Sequence, residues 1–565
     1  MKQLRSVSDI GDSGVERDRY TPSPRDWRDR VMYLLMVDRF DNDDSDVPPF
    51  DPDTADYGRD PDQRSLFQGG RISGVTRRLD YLKELGIQAI WLTPVLKNRQ
   101  SDPHSYHGYG IQNFLDVDPR FGSMEDLQHL VNEAHAREIA IVLDIVLNHT
   151  GDVWYYPDDG GRPFADEAYD FGGWREADEG QDEMDGRVWP VEFQNPDWFR
   201  RQGEIQDDAD PNQLVRGDVT TFKTLDTSND EVLGALIECY KFWISATDCD
   251  GFRVDTVRNM EPRSVAIVCN ALREHAYSLN KKNFLIFGEI IGDEGVIADY
   301  MHKNPDVEGD RDRLEALGAA LDYPLYFVLE SVIKGHVPPA HLRDKLKARV
   351  MDAPVDESSH WITFIDNHDQ PNRCARFLHD NQYDQQAALA VAYLLTTRGI
   401  PCIYYGTEQG FDGGGDDPHY LRECMFGGGW GAFDTTGMHF FNTEHPLYQA
   451  IAKVAYLRAN EPALRYGRQY FRGTLNGEGA FELAEPGGTL AYSRVLDDDE
   501  LLVALNLAAE HREDAIEVDP ARTPSGGRMR DLLSGSEHDV QRDEDGHAFV
   551  RVPLEGHQIS ILKAI

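Results

Sequence analysis

The sequence has little that would suit a membrane, a disulfide framework or a nucleic acid. Among its 565 residues, no apolar run reaches the ~20 residues of a membrane-spanning helix. Its six cysteines include no Cys-x-x-Cys pair, which favours small buried residues over metal ligands. The 57 basic residues face 100 acidic ones, for a formal net charge of −43. Such a charge excludes a phosphate backbone as partner, since phosphates are bound by Lys and Arg.

The N-terminal residues also lack the apolar core of a secretory signal, since the chain opens MKQLRSVSDIGDSG. A secretory signal carries an apolar stretch of about 7–15 residues behind its basic start. We therefore expect a cytoplasmic protein. The polar composition of residues 1–30 predicts a loosely packed N-terminal extension.

Acidic residues recur in short clusters, such as DNDDSD, EADEGQDEMDG and DDDE. The simplest interpretation is a well-solvated acidic surface. A second interpretation is adaptation to high salt, because dissolved ions would screen the repulsion among these charges. Both remain open, and both favour a neutral or cationic ligand over an anionic one.

Short apolar runs alternate with helical patterns from residue 31 onward. Helical spacing is clear in VTRRLDYLKELG, MEDLQHLVNEAHARE and VLGALIECYKFWIS. Strands and helices in alternation predict parallel strands joined by helical crossovers, and eight such strands close a (β/α)8 TIM barrel of the α/β class. The predicted strands lie in 31–37, 89–95, 139–146, 251–257, 284–290, 361–367 and 399–406, with a weaker run at 320–329.

Two segments depart from this alternation. Residues 151–215 are rich in Asp, Gly, Pro and Trp with little periodicity, which is typical of a subdomain or lid inserted after a barrel strand. Short alternating segments near the C-terminus predict an antiparallel β domain. The sequence thus predicts a barrel in two parts, 31–150 and 216–465, an inserted domain at 151–215, and a C-terminal β domain at 466–565.

Polar residues follow four of the predicted strands. The reacting groups of a TIM barrel lie at the C-terminal ends of its strands, so these side chains should meet in one pocket. One pair alone, such as Arg253 and Asp255 on the same face of a strand, could equally be a structural ion pair. A convergent set favours a site. The set comprises Asp144, Asn148, His149, Arg253, Asp255, Glu289, His368 and Asp369.

Several carboxylates without a serine or cysteine nucleophile favour glycosidic chemistry. A retaining glycosidase needs a carboxylate nucleophile and a carboxylic acid about 5 Å away, which protonates the leaving oxygen. We expect Asp255 to stay ionised, because the neighbouring Arg253 favours the charged form. We expect Glu289 to have a raised pKa, because it lies on an apolar strand near other carboxylates.

Four short segments, DIVLNH, GFRVDTVRN, GEI and FIDNHD, resemble the signature regions of the α-amylase superfamily, family 13 of the glycoside hydrolases. The resemblance extends from about residue 31 to the C-terminus. It implies that Asp255 is the nucleophile, Glu289 the acid/base, and Asp369 the third carboxylate, which grips sugar hydroxyls. The residues that it implies as hydrogen-bonding partners of the sugar are His149, Arg253 and His368.

The segment SYHGYGIQNF resembles the family's sequence after the second strand. It implies His107 as a sugar hydrogen-bond donor and Tyr109 as an aromatic platform under the ring, with a packed loop tyrosine as the alternative for Tyr109. Arg258 occupies a position where many starch-active members have lysine, which leaves an acceptor-side contact open. The resemblance also makes 151–215 the family's B domain and 466–565 its C domain.

The family's common calcium site, between barrel and B domain, is poorly matched. Asn148 is present, but Thr224 stands where an aspartate ligand is usual, with Lys223 beside it, and Asn259 replaces a histidine. Calcium takes six to eight oxygen ligands, typically with several carboxylates. We therefore expect this junction to hold no ion and the protein to require no cofactor.

A second calcium site of the family lies near the N-terminus. The loop DRFDNDDSD resembles its first half and offers Asn42 and Asp44 as ligands. In the other half, FQGGRISG, Arg71 stands where an aspartate would help. The resemblance allows a calcium ion at this loop without requiring one.

The resemblance implies an α-retaining hydrolase acting on α-1,4-linked starch-type glucans or malto-oligosaccharides. The alternatives within the superfamily are transglycosylases, which include glucanotransferases and sucrose- or α-glucoside-active glucosyltransferases. Outside enzymes, the alternative is a non-catalytic sugar-binding relative. Such relatives are expected to lose catalytic carboxylates, and this sequence retains all three. No nucleic-acid or membrane partner is expected.

The excess of acidic residues predicts a salt-dependent stability. Repulsion among the charges should destabilise the fold at low ionic strength and weaken as salt screens it. We expect the melting temperature, followed by circular dichroism, to rise between low and molar NaCl. A flat or falling curve would leave the acidic surface with a role in solubility alone.

Overall fold

A barrel of eight parallel strands forms the centre of the structure. The computed structural model describes residues 3–12, 17, 19–44, 46–57, 61–301, 317–352, 359–371, 373, 385–411, 413, 418–428, 431–475, 479–524 and 526–565. The barrel strands are β1 (Met32–Leu35), β2 (Ala89–Leu92), β3 (Ala140–Ile145), β4 (Gly251–Val254), β5 (Leu285–Gly288), β6 (Ala319–Ala320), β7 (Ile362–Thr363) and β8 (Ile400–Tyr404).

The strand order closes the sheet on itself. Neighbouring strands run β6-β5-β4-β3-β2-β1-β8-β7, and every pairing between them is parallel. A parallel bridge between Leu321 and Ile362 joins the two ends. The predicted (β/α)8 TIM barrel, with a domain inserted after β3 and a C-terminal antiparallel β domain, is confirmed.

Helices follow the barrel strands and cover the barrel. Ser123 caps the helix after β2 by accepting a hydrogen bond from Asp126 N, and Asp126 returns the bond in a capping box. The helices of the barrel portion are Val37–Phe40, Ile72–Arg77, Leu79–Leu85, Met124–Ala136, Asp230–Thr247, Pro262–Ser278, Glu294–Met301, Tyr323–Ile333, Ala340–Asp352, Gln385–Thr396, Pro446–Asn460 and Pro462–Tyr466.

The sixth strand differs from the sequence prediction. The weak apolar run at 320–329 contributes little to β6 and instead begins the helix Tyr323–Ile333. Asp322 caps that helix by accepting a hydrogen bond from Leu325 N at 3.2 Å. Pro324 suits the first turn of a helix and cannot donate to a strand ladder. The run therefore leaves the barrel two residues after β6 ends.

The segment between β3 and the helix Asp230–Thr247 forms the inserted domain. Its described elements are short: His149–Thr150 pairs with Lys223–Thr224, and Trp154–Tyr155 pairs with Gly173–Trp174. Edge-to-face rings fill its interior, with Trp154 at 4.7 Å from Tyr156 and 5.8 Å from Phe199. Aromatic packing therefore replaces regular secondary structure here, while the predicted domain limits stay predictions.

The C-terminal region forms an antiparallel sheet with its own apolar core, which includes Leu502, Val550 and Leu562. Within the described residues this sheet has nine strands. They are Arg468–Phe471, Thr474–Leu475, Thr489–Leu496, Asp499–Asn506, Arg512–Glu517, Arg528–Asp531, Glu537–Arg542, Ala548–Leu554 and Ile559–Ala564.

The described part of the N-terminal extension is packed rather than loose. Leu4 and Trp27 are buried. The Glu192 carboxylate of the inserted domain accepts hydrogen bonds from Ser6 Oγ at 2.5 Å and from Val7 N at 3.1 Å. The extension therefore contacts both the inserted domain and the barrel. Its polar composition did not predict these contacts.

Two absences noted in the sequence have structural counterparts. Among the described residues, no helix combines the length and the apolar character that crossing a membrane requires. Five cysteines are buried and unpaired, as expected of small core residues: Cys239, Cys249, Cys269, Cys402 and Cys424. Cys374 lies outside the described residues.

Candidate active site

Two carboxylates stand side by side at the C-terminal ends of adjacent strands. Asp255 directly follows β4 and Glu289 directly follows β5, and the strands are paired with Val254 opposite Gly288. Backbone hydrogen bonds fix both residues, from Asp255 N to Ile145 O and from Glu289 N to Val254 O. Both carboxylates are therefore held by the barrel itself, and both are nearly buried.

Arg253 binds three carboxylates with one buried guanidinium. Its Nη1 donates to Asp255 Oδ1 at 2.7 Å and to Asp144 Oδ1 at 2.8 Å. Its Nη2 lies 2.9 Å from Glu289 Oε2. The common partner brings Asp255 and Glu289 to the same guanidinium.

Burial and mutual repulsion favour protonation of one carboxyl group in this cluster. Burial raises the pKa of Glu289 to about 7, against the opposing effect of Arg253 and with the help of Asp255 and Asp369. Burial also raises the pKa of Asp255 above its ordinary value, although Arg253 opposes the shift. The expectation that Asp255 stays ionised rested on the arginine and left out this burial. One cation cannot keep every neighbouring carboxylate ionised, so a proton resides in the cluster near neutral pH.

Asp144 anchors the cluster from β3. Its Oδ2 accepts hydrogen bonds from Trp91 Nε1 at 3.1 Å and from the Tyr109 hydroxyl at 2.9 Å, in addition to those from Arg253. Burial raises the pKa of Asp144 to about 7. Tyr109 also stacks parallel to His368, with ring centroids 5.6 Å apart. Tyr109 is thus packed in its loop beside the site, and its role as an aromatic platform stays a prediction.

Asp369 is the most exposed of the predicted carboxylates, with 35% of its side chain accessible. Partial burial opposes its ionisation, but His368, Arg422 and Arg253 together hold the pKa of its carboxyl below its ordinary value. Arg422 Nη2 donates to Asp369 Oδ1 at 2.9 Å, and Arg422 Nε donates to His368 O at 2.9 Å. Asp369 therefore stays charged at neutral pH.

Arg422 was not among the residues chosen from the sequence. It lies in a polar stretch after β8, and the one available signal was a cation beyond the C-terminal end of a barrel strand. The structure brings it together with the predicted set, which is Asp255, Glu289, Asp369, His107, Tyr109, His149, Arg253 and His368.

The three histidines of the site are neutral. Burial lowers the pKa of His107, His149 and His368 to about 3 in each case. The ring of His107 accepts a hydrogen bond from Tyr109 N at its Nδ1, so its proton is on Nε2, where it can be donated. His149 stacks on Phe222 of the inserted domain at 4.6 Å, which fixes its ring plane.

Several buried polar atoms of the site lack partners among the residues that the structure describes. They are His149 Nε2, His368 Nδ1 and Arg253 Nε. Buried polar groups are nearly always satisfied in folded proteins. A ligand rich in hydroxyl groups would satisfy these atoms.

Arg258 lies at the rim, apart from the carboxylates. Its Nη1 donates to Ile291 O at 2.7 Å, and the Ile291 side chain is 40% exposed. The backbone carbonyl of Arg258 accepts a hydrogen bond from the Tyr300 hydroxyl at 3.4 Å. The structure therefore places the Arg258 side chain against the segment that follows β5.

Comparison with known proteins agrees with this geometry. Residues 35–425 match the family model "Alpha amylase, catalytic domain". The chain belongs to the α-amylase family. It is 34% identical over 462 residues to the β/α-amylase of Paenibacillus polymyxa, a match covering 79% of this chain and 31% of that one.

Other relatives extend the match along the chain. The α-amylase of Streptomyces lividans is 29% identical over 550 residues, covering 88% of this chain and 56% of that one. The solved α-amylase of Geobacillus thermoleovorans, complexed with acarbose, superposes with a TM-score of 0.71 and 28% identity over 96% of this chain and 99% of that one. The chain thus spans 31% of the length of the first of these two curated relatives and 56% of the second.

The family's calcium position between barrel and B domain does not fit an ion in this chain. Asn148 Nδ2 donates directly to Asn259 O at 2.7 Å, and Asn259 Nδ2 donates to Leu214 O at 2.9 Å. Thr224 Oγ1 donates to Gly217 O at 2.8 Å. Since donors face the oxygens that a cation would need, neutral hydrogen bonds close this junction.

Lys223 supplies a positive charge nearby. Its side chain is 9% exposed, and its Nζ lies 3.4 Å from Asp152 Oδ1. The ammonium also lies over the rings of Trp154 at 5.0 Å and Tyr156 at 5.3 Å. Lys223 therefore points inward, where it would repel a divalent cation.

The N-terminal loop is likewise occupied by a side-chain cation. Arg77 Nη2 donates to both oxygens of the buried Asp41 carboxylate, at 2.6 and 2.8 Å, and to Asp44 O at 3.2 Å. Asn42 Oδ1 accepts from Asp44 N at 3.1 Å. The oxygens of Asn42 and Asp44 accept backbone hydrogen bonds of turns, and the positive charge of Arg77 beside them disfavours a divalent cation. Calcium binding at this loop stays a prediction of the resemblance. Arg71, which stands where the family's second calcium site would have an aspartate, is exposed.

These contacts predict stability that is independent of calcium. The melting temperature of the protein should be the same in EDTA and in millimolar CaCl₂, because side-chain donors already occupy both positions. Arg77→Gln should lower the melting temperature, since a hydrogen bond to a buried charge contributes ~2 kcal/mol to the free energy of unfolding. Arg137→Gln is the matched control, because Arg137 is equally exposed at 26% but pairs with an exposed Asp80. A fall in EDTA that calcium reverses in the unaltered protein would contradict the assignment.

Proposed function

We propose that the protein is a retaining α-glycoside hydrolase acting on α-1,4-glucosidic linkages of starch-type glucans or malto-oligosaccharides. The observation that carries the proposal is the shared Arg253, which holds Asp255 and Glu289 together at the ends of adjacent strands. Family membership supports the reaction class. The buried ring nitrogens His149 Nε2 and His368 Nδ1, which have no hydrogen-bond partner among the described residues, support a substrate with many hydroxyl groups.

The first step forms a covalent glycosyl-enzyme. Asp255 attacks the anomeric carbon while Glu289 donates its proton to the glycosidic oxygen, which departs as a sugar hydroxyl. The raised pKa of Glu289, to about 7, keeps that proton available near neutral pH. Asp255 loses its negative charge when it forms the ester bond, and Arg253 then compensates the negative charge of the newly ionised Glu289.

The second step returns the enzyme to its starting state. Glu289, now ionised, takes a proton from a water molecule whose oxygen displaces Asp255 from the anomeric carbon. Asp369 keeps its charge, because Arg422 and His368 hold its pKa low, and it accepts hydrogen bonds from sugar hydroxyls. Two inversions at the same carbon leave the product in the α configuration.

Transglycosylation is the alternative within the family. A sugar hydroxyl would then replace water in the second step, bound beside Arg258 and the exposed Ile291. The products formed from starch, maltotriose, cyclodextrin and sucrose, separated by HPLC, would distinguish hydrolysis from transfer. A sugar-binding protein without catalysis would leave all four unchanged.

Removal of the nucleophile should abolish turnover and preserve the fold. Asp255→Asn keeps the shape of the side chain but loses its nucleophilic oxygen, so kcat should fall by ~10⁴-fold. Calorimetry should still detect malto-oligosaccharide binding. Asp230→Asn, at a site with 82% of the side chain exposed, is the control for loss of one charge. Near-normal turnover by Asp255→Asn would refute the mechanism.

The stereochemistry of the product provides an independent test. Double displacement releases the α-anomer first, and mutarotation then produces the β-anomer slowly. A ¹H NMR time course at high enzyme concentration should show the α-anomeric signal rising before the β signal. Initial appearance of the β-anomer would exclude Asp255 as a nucleophile, whatever the effect of its substitution.

A further inference from the structure

Tyr323 places its hydroxyl beside the proposed acid/base. The residue is fully buried on the first turn of the helix after β6, and its hydroxyl lies 3.3 Å from Glu289 Oε1. Asn367 Nδ2 lies 3.4 Å from the same hydroxyl. Both polar neighbours of this phenol therefore belong to the active site.

The direction of these hydrogen bonds follows from Asn367. Its Oδ1 accepts hydrogen bonds from Asp369 N and Gln370 N, each at 2.9 Å. The amide nitrogen of Asn367 must then face Tyr323 and donate to the phenol oxygen. The phenol hydrogen is left for Glu289, so Tyr323 donates to Oε1.

The other oxygen of Glu289 is already held. Oε2 lies 2.9 Å from Arg253 Nη2 and accepts from Thr256 N at 3.3 Å. Because the positive charge of Arg253 and the Thr256 N–H both lie beside Oε2, the acidic proton belongs on Oε1, the oxygen that faces Tyr323. The remaining charges around Glu289 are Asp255 from β4 and Asp369 from the loop after β7, both of which favour its protonated form.

The ring of Tyr323 is fixed independently of the site. It packs edge-to-face on Phe364, with centroids 5.2 Å apart, and against Tyr326 at 6.1 Å. The preceding Asp322 is buried, bonds Arg349, and donates its N–H to Ile362 O at 2.9 Å. The hydroxyl is thus mounted rigidly between β6 and β7.

We propose that Tyr323 is a positioning residue that orients the proton-carrying oxygen of Glu289 and, through Asn367, couples it to the loop bearing Asp369. This inference rests on the proposed function of Glu289. A hydroxyl that donates to Oε1 stabilises the ionised carboxylate and directs the acidic hydrogen away from Tyr323, toward the cleft. Binding of a sugar by Asp369 would thereby be transmitted to the acid/base.

The test is the pH profile of Tyr323→Phe, which removes only the hydroxyl. Loss of a donor to the ionised form raises the pKa of Glu289, so the alkaline limb of kcat/KM should move upward by about 0.5–1 pH unit. With malto-oligosaccharides kcat should fall about 10-fold with KM little changed. With an activated aryl glycoside, whose leaving group needs less protonation, the fall should shrink to about twofold.

Tyr326→Phe is the matched control. Tyr326 lies on the same helix and stacks on Phe364 at 4.9 Å, so its substitution tests general packing. An unchanged alkaline limb and kcat in Tyr323→Phe would overturn the inference, as would equal effects in both variants. Glu289→Gln separates the two levels of the argument. If it spares activated glycosides more than natural ones, the acid/base role stands even when the Tyr323 inference fails.

Discussion

One buried cation organises the site. Arg253 is fully buried and contacts Asp144, Asp255 and Glu289, which come from three neighbouring strands. An uncompensated buried carboxylate is costly, and a single guanidinium compensates three of them only in part. The deficit is what holds a proton in the cluster. The structure therefore obtains a general acid by placing more carboxylates around one arginine than that arginine can neutralise.

The barrel provides the geometry that this arrangement needs. Asp255 and Glu289 follow paired strands, so backbone hydrogen bonds set the relative position of their backbones. Loop residues then adjust the charges: Arg422 keeps Asp369 ionised, and Tyr323 reaches Glu289 from the far side. The strands fix where the carboxylates lie, and the surrounding loops decide which of them carries the proton. Such division of work suits a mechanism in which two carboxylates have opposite protonation states.

Sequence reasoning succeeded where chemistry is tied to strand ends. Apolar runs located seven barrel strands, and the polar residues after them converge as expected. Sequence reasoning missed residues that reach the site from irregular segments, because their positions depend on how the chain folds in three dimensions. Arg422 comes from an irregular stretch, and Tyr323 was hidden because β6 is only two residues long and the following run was taken as strand. The sequence also did not indicate Arg77, at the end of the next helix, as the cation that contacts Asp41 of the N-terminal loop.

A common physical theme joins these findings with the chain's large negative charge. Carboxylates that are buried cannot rely on dissolved ions, because salt screens exposed charges far better than buried ones. This chain meets that requirement with its own side chains: Arg253 in the barrel and Arg77 against Asp41. A fixed cation cannot be removed by a chelator or by dilution, whereas the exposed acidic clusters must be balanced by the medium. Sensitivity to ionic strength should therefore belong to the surface, and the electrostatics of the site should be largely insulated from it.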